Sequence, residues 1–319
     1  MTSILVTGSA GFIGHHLMCR LAADGHCITG VDNLDPYYDP GLKRARLDRQ
    51  PAHTFHELDV AHPEALAALF EDTKPEVVVH LAAQAGARHS LKDPFSYAHS
   101  NVRGFLSVLE ACRHHPVRHL VYASSSSVYG TDSTIPYSTQ ERADEPVSLY
   151  AATKRTGELM AYTYAKLYGI PTTGLRFFTV YGPWGRPDMA YFKFADLMTS
   201  GRPIEVFNEG HLSRDFTYVD DVVESVVRLL PHVPEAAVPH ALYNIGRGRP
   251  VNLLEFIEVL ERELGVVALR EMRPMQPGDV YTTFADTKPL EAITGYRPQV
   301  DLEEGIRRFA AWYREWAGR

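Results

Sequence analysis

The sequence predicts an α/β fold built on a doubly wound parallel sheet, and three observations predict it. Short β-branched, apolar runs alternate with amphipathic helical stretches from residue 3 to residue 178. The first run passes directly into three glycines spaced three apart, Gly8, Gly11 and Gly14, and the second ends on an acid, Asp32. Runs that stay apolar on both faces belong to buried parallel strands, and alternation with helices covers the two sides of the sheet.

Residues 3–7 (Ser-Ile-Leu-Val-Thr) read as the first strand. The helix after the glycines carries Phe12, Ile13, Leu17, Met18 and Leu21 on its apolar face and stops near Asp24-Gly25. A second strand over 26–31 ends on Asp32. Strand, glycine turn, helix, strand and acid, in that order, form the context of a dinucleotide-binding fingerprint, so the sheet is expected to be Rossmann-type with NAD as ligand. Gly8 permits the tight turn, Gly11 lets the backbone approach a pyrophosphate, and Gly14 lets helix and strand pack closely. The helix start at Phe12 and Ile13 offers free N–H groups and the positive end of the helix dipole to the phosphates. Asp32 is placed to accept from the adenosine ribose hydroxyls, with Asn33 counted beside it. A carboxylate there repels a 2′-phosphate, which favours NAD over NADP.

A loop and polar helix over 35–49 lead to a third strand, 54–58, ending at Asp59-Val60, which in such folds lies beside the adenine. After a helix over 63–70, the apolar fourth strand, 77–81, ends on Leu81-Ala82-Ala83-Gln84. Small residues at a strand's C-terminal end let a cofactor come close. Arg88 follows, a candidate for a substrate phosphate or carboxylate, or else a loop-stabilising arginine. A helix from about 97 to 114 precedes the fifth strand, 119–123, and the run Ser124-Ser125-Ser126-Ser127. Tyr150 and Lys154 then stand four apart on one helix face, about 6 Å apart along the axis. An ammonium there favours the tyrosinate and draws the phenol down from about 10. A serine hydroxyl at the preceding strand end can hold an alcohol against that phenolate, which equips the chain to take a proton from an alcohol while hydride leaves its carbon. Tyr-x-x-x-Lys alone occurs by chance in many helices; the fingerprint upstream gives it weight.

The sixth strand, 173–178, runs into Thr179, and beyond it the alternation loosens. A strand over 203–208, a helix ending near Leu230, a return to the main sheet over 242–246 and helices over 253–264 and 302–316 are expected. The expected division is an NAD-binding domain over 1–179, with 217–249 returning to it, and a smaller α/β substrate domain over 180–319.

A formal charge of −7 over 319 residues argues against nucleic acid or an anionic membrane as the main partner. An anionic substrate then needs locally placed arginines. Cys19, Cys27 and Cys112 lack metal-ligand spacing and suit a reducing compartment. The fifteen histidines are scattered and read as surface or helix-end residues, so no metal site is expected. No leader pattern or membrane-length apolar run is seen, and the cytoplasm is the expected location.

Almost the whole chain resembles the nucleotide-sugar epimerases of the extended short-chain dehydrogenase/reductase superfamily, the UDP-glucuronate 4-epimerases in particular. The segments that carry this are Gly8–Gly14, His80–Gly86, Ala123–Gly130, Ser148–Lys154, Arg176–Met189, Arg214–Asp221 and Met275–Asp279. By position in these motifs, the resemblance implies Ser125 as the catalytic serine beside Tyr150 and Lys154. It implies Arg214 as the clamp on the UDP phosphates and Asp279 near the uridine ribose. Ordinary UDP-galactose epimerases carry Asn where this chain has Thr179 and Arg where it has Gln276. Both departures suit a substrate with a carboxylate at C6, held by Ser126 and Thr179 and by Arg186, which could instead bind phosphate. Related sugar 4,6-dehydratases place Asp-Glu at 126 and 127, and UDP-glucuronate decarboxylases a Glu at 127. Ser126 and Ser127 cannot act as acid or base at neutral pH. The resemblance further implies a homodimer formed through the two long helices.

The expected chemistry is inversion at C4 of a UDP-uronic acid through a 4-keto intermediate with tightly held NAD. The rivals are a decarboxylase or a neutral UDP-hexose 4-epimerase on the same fold, and a non-catalytic NAD-sensing protein, against which the intact Ser125, Tyr150 and Lys154 argue.

Overall fold

The expected alternation becomes a seven-stranded, wholly parallel sheet. The structure, a computed structural model, describes residues 1–51, 53–131, 134–276 and 279–318. In chain order the first half comprises β1 (Ser3–Thr7), α1 (Phe12–Ala23), β2 (Cys27–Asp32), α2 (Pro40–Leu47), β3 (Thr54–Glu57), α3 (Pro63–Thr73), β4 (Val77–His80), α4 (Pro94–Tyr97), α5 (Phe105–His114), β5 (His119–Ser125), α6 (Leu149–Tyr168) and β6 (Thr172–Phe177). Then follow β7 (Thr179–Tyr181), α7 (Ala190–Thr199), β8 (Ile204–Phe207), β9 (Ser213–Tyr218), α8 (Val219–Leu229), β10 (His240–Ile245), β11 (Pro250–Asn252), α9 (Leu253–Leu264), β12 (Arg270–Arg273), α10 (Lys288–Thr294) and α11 (Leu302–Ala317).

The main sheet runs β10-β6-β5-β4-β1-β2-β3. Its strands are buried on both faces because alternate residues serve different cores. Ile4, Val6, Val77 and Val79 join one apolar cluster with Leu17 and Met18 of α1; Leu5, Val78 and Leu120 join another with Val108 and Leu109 of α5. The strand order reverses between β1 and β4, and such a reversal opens a crevice at the strands' carboxyl ends. Two smaller sheets, β11-β9-β7 and β12-β8, stand beyond it. Pro277 and Gly278 of the Met275–Asp279 motif lie outside the described residues. Among the described residues, no helix is long and apolar enough to cross a membrane, and no three metal-binding side chains gather.

The helix expected over 97–114 is not a single α-helix. Between α4 and α5, Ala98–Gly104 forms a π-helix. The wider turn faces Asn101 toward the cavity floor, a device that sequence periodicity does not reveal.

The histidines also depart from expectation. His15, His80 and His119 are buried. His80 bonds Thr7 Oγ1 at 2.8 Å and stacks on Phe105, and His119 uses both ring nitrogens, on the Leu230 carbonyl and Thr173 Oγ1. Burial lowers both His15 and His80 to about 3. The unfolded chain therefore takes up these protons below about 6.5 while the folded chain refuses them, so stability falls as pH drops from about 6.5 toward 3. At pH 5 each such histidine is expected to cost about 2 kcal/mol. Urea unfolding at pH 7 and pH 5 checks this: the difference should shrink by about that amount in His80→Asn, and an unaltered difference refutes it.

Candidate active site

The glycine turn is fixed by backbone bonds from Gly8 and Ser9 to the Val31 carbonyl, at 2.7 and 3.1 Å. Gly8 has φ +73°, and a Cβ there would lie 2.7 Å from the Ala82 nitrogen; a Cβ on Gly14 would collide with the Gly8 carbonyl oxygen. A side chain at either place would push the turn out of its close packing against the end of β4 and the start of α1. The turn's end, Gly11, caps α1 without a side-chain bond, so the first N–H groups of the helix stay available for phosphate. Asp32 accepts from the Ala10 and Leu34 N–H groups at 3.2 and 2.8 Å, and Lys43 Nζ sits 3.3 Å from its Oδ1. Nothing in the spacing identified Lys43, which arrives from the polar helix α2 and offsets part of the acid's charge.

Asp59 bonds the Ala61 N–H, Asn33 and His99 Nε2. At the end of β4 the Gln84 backbone is clamped by Asn101, whose Oδ1 accepts from its N–H at 2.7 Å and whose Nδ2 donates to its carbonyl at 3.0 Å. The same Nδ2 donates to Thr153 Oγ1 on α6. Asn101 thus ties the floor of the cavity to the helix that carries Tyr150.

That helix begins where Ser148 caps the Ala151 N–H at 3.1 Å. Tyr150 lies in its first turn and Lys154 one turn later, with the ammonium 6.0 Å from the phenol ring and donating to the Ala123 carbonyl at 2.9 Å. Ser125 ends β5, accepts the Ser127 N–H and hydrogen-bonds the Tyr150 oxygen. Withdrawal from water raises the Tyr150 phenol; the Ser125 hydroxyl and the Arg186 guanidinium oppose that rise. Burial, and then Arg186, lower Lys154 to about 8. The phenol was expected to be drawn below its usual value; here burial is the largest influence and holds it above that value.

One cavity of ≈ 370 Å³ gathers the glycine turn, Phe12, Ile13, Asp32, Asn33, Asp59, Val60 and the stretch Leu81–Gln84 with Ser125, Ser126, Ser127, Tyr150, Lys154, Thr179 and Arg186. Arg88, Arg214 and Asp279 do not line it. They gather as a separate cluster, with Arg88 3.3 Å from Asp279 and over the Phe207 ring, and Arg214 held by the Ser213 and Tyr281 carbonyls. Burial lowers Arg214, and the Asp279 charge works against that. Arg186 is not a free cation: Asp188 grips its Nε and a terminal nitrogen at 2.9 and 2.7 Å, and the Tyr37 hydroxyl donates to the same carboxylate at 3.2 Å. Asp188 and Tyr37 were not singled out in the sequence, though Asp188 lies inside a motif that was.

A model of the NAD dependent epimerase/dehydratase family matches residues 4–246. The chain is 48% identical over 328 residues, 97% of its length and 96% of the relative's, to a Rhizobium meliloti protein named "Probable UDP-glucuronate 4-epimerase". It is 44% identical to UDP-glucuronate 4-epimerase 3 of Arabidopsis thaliana, over 98% of this chain and 76% of that protein. The crystal structure of UDP-glucuronic acid 4-epimerase from Bacillus cereus, in complex with UDP-glucuronic acid and NAD, superposes with a TM-score of 0.90 at 33% identity, covering 98% of this chain and 99% of that one.

Proposed function

This chain belongs to the NAD dependent epimerase/dehydratase family, and we propose that it inverts C4 of UDP-glucuronate to give UDP-galacturonate. One observation carries the substrate choice. Beside Tyr150, Lys154 and Ser125, positions 126, 127 and 179 offer only hydroxyls to the same cavity. These can hold a uronate carboxylate but cannot drive elimination. The names of the relatives and of the Bacillus cereus complex support the reading.

The residues that would hold NAD are the glycine turn with the start of α1 for the phosphates, Asp32 and Asn33 for the adenosine ribose, Asp59 and Val60 beside the adenine, and Leu81–Gln84 with Lys154 on the nicotinamide side. When bound, NAD supplies the acceptor and donor of the C4 hydride. Tyr150 takes the proton from the 4-hydroxyl, and Ser125 orients that oxygen. The 4-keto sugar turns over inside the cavity, so that C4 would present its other face to the hydride donor, and Tyr150 returns the proton to the C4 oxygen. Arg214 clamps the UDP phosphates, Asp279 sits by the uridine ribose, and Arg88 serves the phosphate end.

The keto intermediate is a β-keto acid, which loses CO₂ when the carboxylate bond aligns with the carbonyl π system. Ser126 and Thr179 hold the carboxylate out of that alignment, with Arg186, whose Nε and one terminal nitrogen are held by Asp188, adding charge beside them. Thr179→Ala is therefore expected to raise the UDP-pentose share of the product several-fold, about what the loss of one hydrogen bond to a charged group allows. An unchanged product ratio would sink that role.

Purified protein incubated with UDP-glucuronate and no added NAD, followed by NMR of the anomeric proton, tests the function. UDP-galacturonate supports it; UDP-xylose points to a decarboxylase; no turnover overturns it. The reading includes the division into 1–179 plus 217–249 and 180–319, supported by the pairing of β10 with β6. It includes a homodimer, supported by Leu106, Leu159, Tyr162 and Leu167 exposed on α5 and α6. It also includes a cytoplasmic location, supported by three unpaired cysteines.

A further inference from the structure

Arg46 is fully buried on α2, and among the described residues no carboxylate pairs with it. Its guanidinium is spent on oxygens from two separate parts of the site. Nε and one terminal nitrogen donate to the Trp184 carbonyl at 3.0 and 2.7 Å, and that same nitrogen donates to the Gly185 carbonyl at 2.9 Å. The other terminal nitrogen donates to the Ala10 carbonyl at 3.0 Å and the Tyr38 hydroxyl at 2.6 Å. Ala10 belongs to the glycine turn, and its N–H is bound by Asp32. Trp184 and Gly185 immediately precede Arg186, which faces the sugar end of the cavity.

The loop being held does not rest in a relaxed conformation. Trp184 has φ +59°, a region that a bulky residue occupies only when its surroundings impose it. A Cβ on Gly185 would strike the Tyr191 hydroxyl, so the loop has no freedom to settle by substitution there. A buried cation that merely filled space would be better replaced by an apolar side chain. This one instead uses the planar fork that only arginine has to bridge two chain segments.

We propose that Arg46 is a positioning residue that couples the dinucleotide turn to the substrate loop. With the turn in place, the loop is drawn into its strained form and Arg186 is aimed at the sugar. The inference rests on the epimerase reading for its kinetic readout only. A second readout is independent of activity, because all three tryptophans of the chain stand at this loop. Trp184 lies 5.2 and 5.6 Å from the Trp312 and Trp316 rings. Tryptophan emission therefore reports whether the loop is seated.

The test compares the protein as purified with Arg46→Lys and Arg46→Met. In variants whose far-UV circular dichroism is native, KM for UDP-glucuronate is expected to rise about tenfold or more, the loss of charged hydrogen bonds, with a smaller change in kcat. The UDP-pentose share should rise and tryptophan emission should shift to the red, with Arg46→Lys, which keeps the charge but not the fork, in between. Unchanged KM, product ratio and emission in a folded Arg46→Met overturn the proposal, as does lowered thermal stability with all three unchanged. Should Arg46→Met not fold, Arg46→Lys decides by the same readouts. Should the wild type not turn over UDP-glucuronate, the function reading fails, and the emission of the folded variants still decides the coupling.

Discussion

Tyr150→Phe is expected to lower kcat for UDP-glucuronate by about 10³-fold, within the range that a positioned acid–base group contributes. The substitution removes one oxygen. The ring keeps its edge-on contact with Tyr97, at 6.1 Å between centroids, so the fold should be retained. What is lost is the oxygen assigned to exchange the proton of the 4-hydroxyl, while the bonds of Ser125 to the Ser127 N–H and of Lys154 to the Ala123 carbonyl are left in place. The wild-type pH profile should carry the same signature. The phenol is raised by its withdrawal from water, so its reactive, deprotonated fraction grows with pH, about tenfold per unit while pH lies below its pKa. The rise should flatten near the point, about 8, where Lys154 gives up its proton. Initial rates from pH 6 to 9 for both proteins check this. More than about a tenth of wild-type activity in Tyr150→Phe would end the assignment, since a residue contributing so little is not the base.

The parts of this molecule that were legible beforehand share one property: they are written locally. The parallel sheet follows from apolar runs at fixed spacing, and the structure has it. The glycine turn, Asp32 and the Tyr150–Lys154 spacing are each contained within a few turns of chain. Their presence around one cavity follows from the strand order. What was not legible depends on partners far away in sequence. Arg46 sat in a stretch that reads as a polar helix, and only the arrival of Trp184 makes it a buried bridge. Asn101 lies in a run that reads as ordinary helix, and its partners, the Gln84 backbone and Thr153 of α6, come from elsewhere in the chain. The Tyr150 phenol was expected to fall because one charge stood nearby, yet a pKa sums desolvation over every neighbour. His80 and His119 looked like scattered polar residues until strands β4 and β5 were placed in the middle of the sheet.

The ion pair of Glu158 with Arg176 should be the most costly single contact to break. Both side chains are about as buried as the core valines, at 1% exposure, and the carboxylate receives four bonds. Arg176 donates twice at 2.8 Å, Ser124 Oγ at 2.6 Å and Arg155 at 3.0 Å. Burial pushes the Glu158 carboxyl up, but Arg176, Ser124 and Arg155 together hold it below its usual range. A carboxyl held low stabilises the fold above its unfolded pKa and loses that contribution as pH falls, so the network is intact at neutral pH. Arg176→Met leaves a buried carboxylate short of its main partner and is expected to cost about 3–5 kcal/mol. That is a large share of the about 5–15 kcal/mol that domains typically have in hand. Replacing both residues, as Arg176→Met with Glu158→Leu, removes the stranded charge and should restore most of the loss. The same network joins β6, where Arg176 sits, to Ser124 on β5 and to α6, and so it fixes the approach of Ser125 to Tyr150. The double variant should therefore regain stability without regaining full kcat, because apolar packing replaces the energy of the pair but not its geometry. Urea midpoints with initial rates for the single and double variants separate the two effects. A loss under about 1 kcal/mol in Arg176→Met would show that the pair is dispensable for stability, and full activity in the double variant would show that it does not set the site.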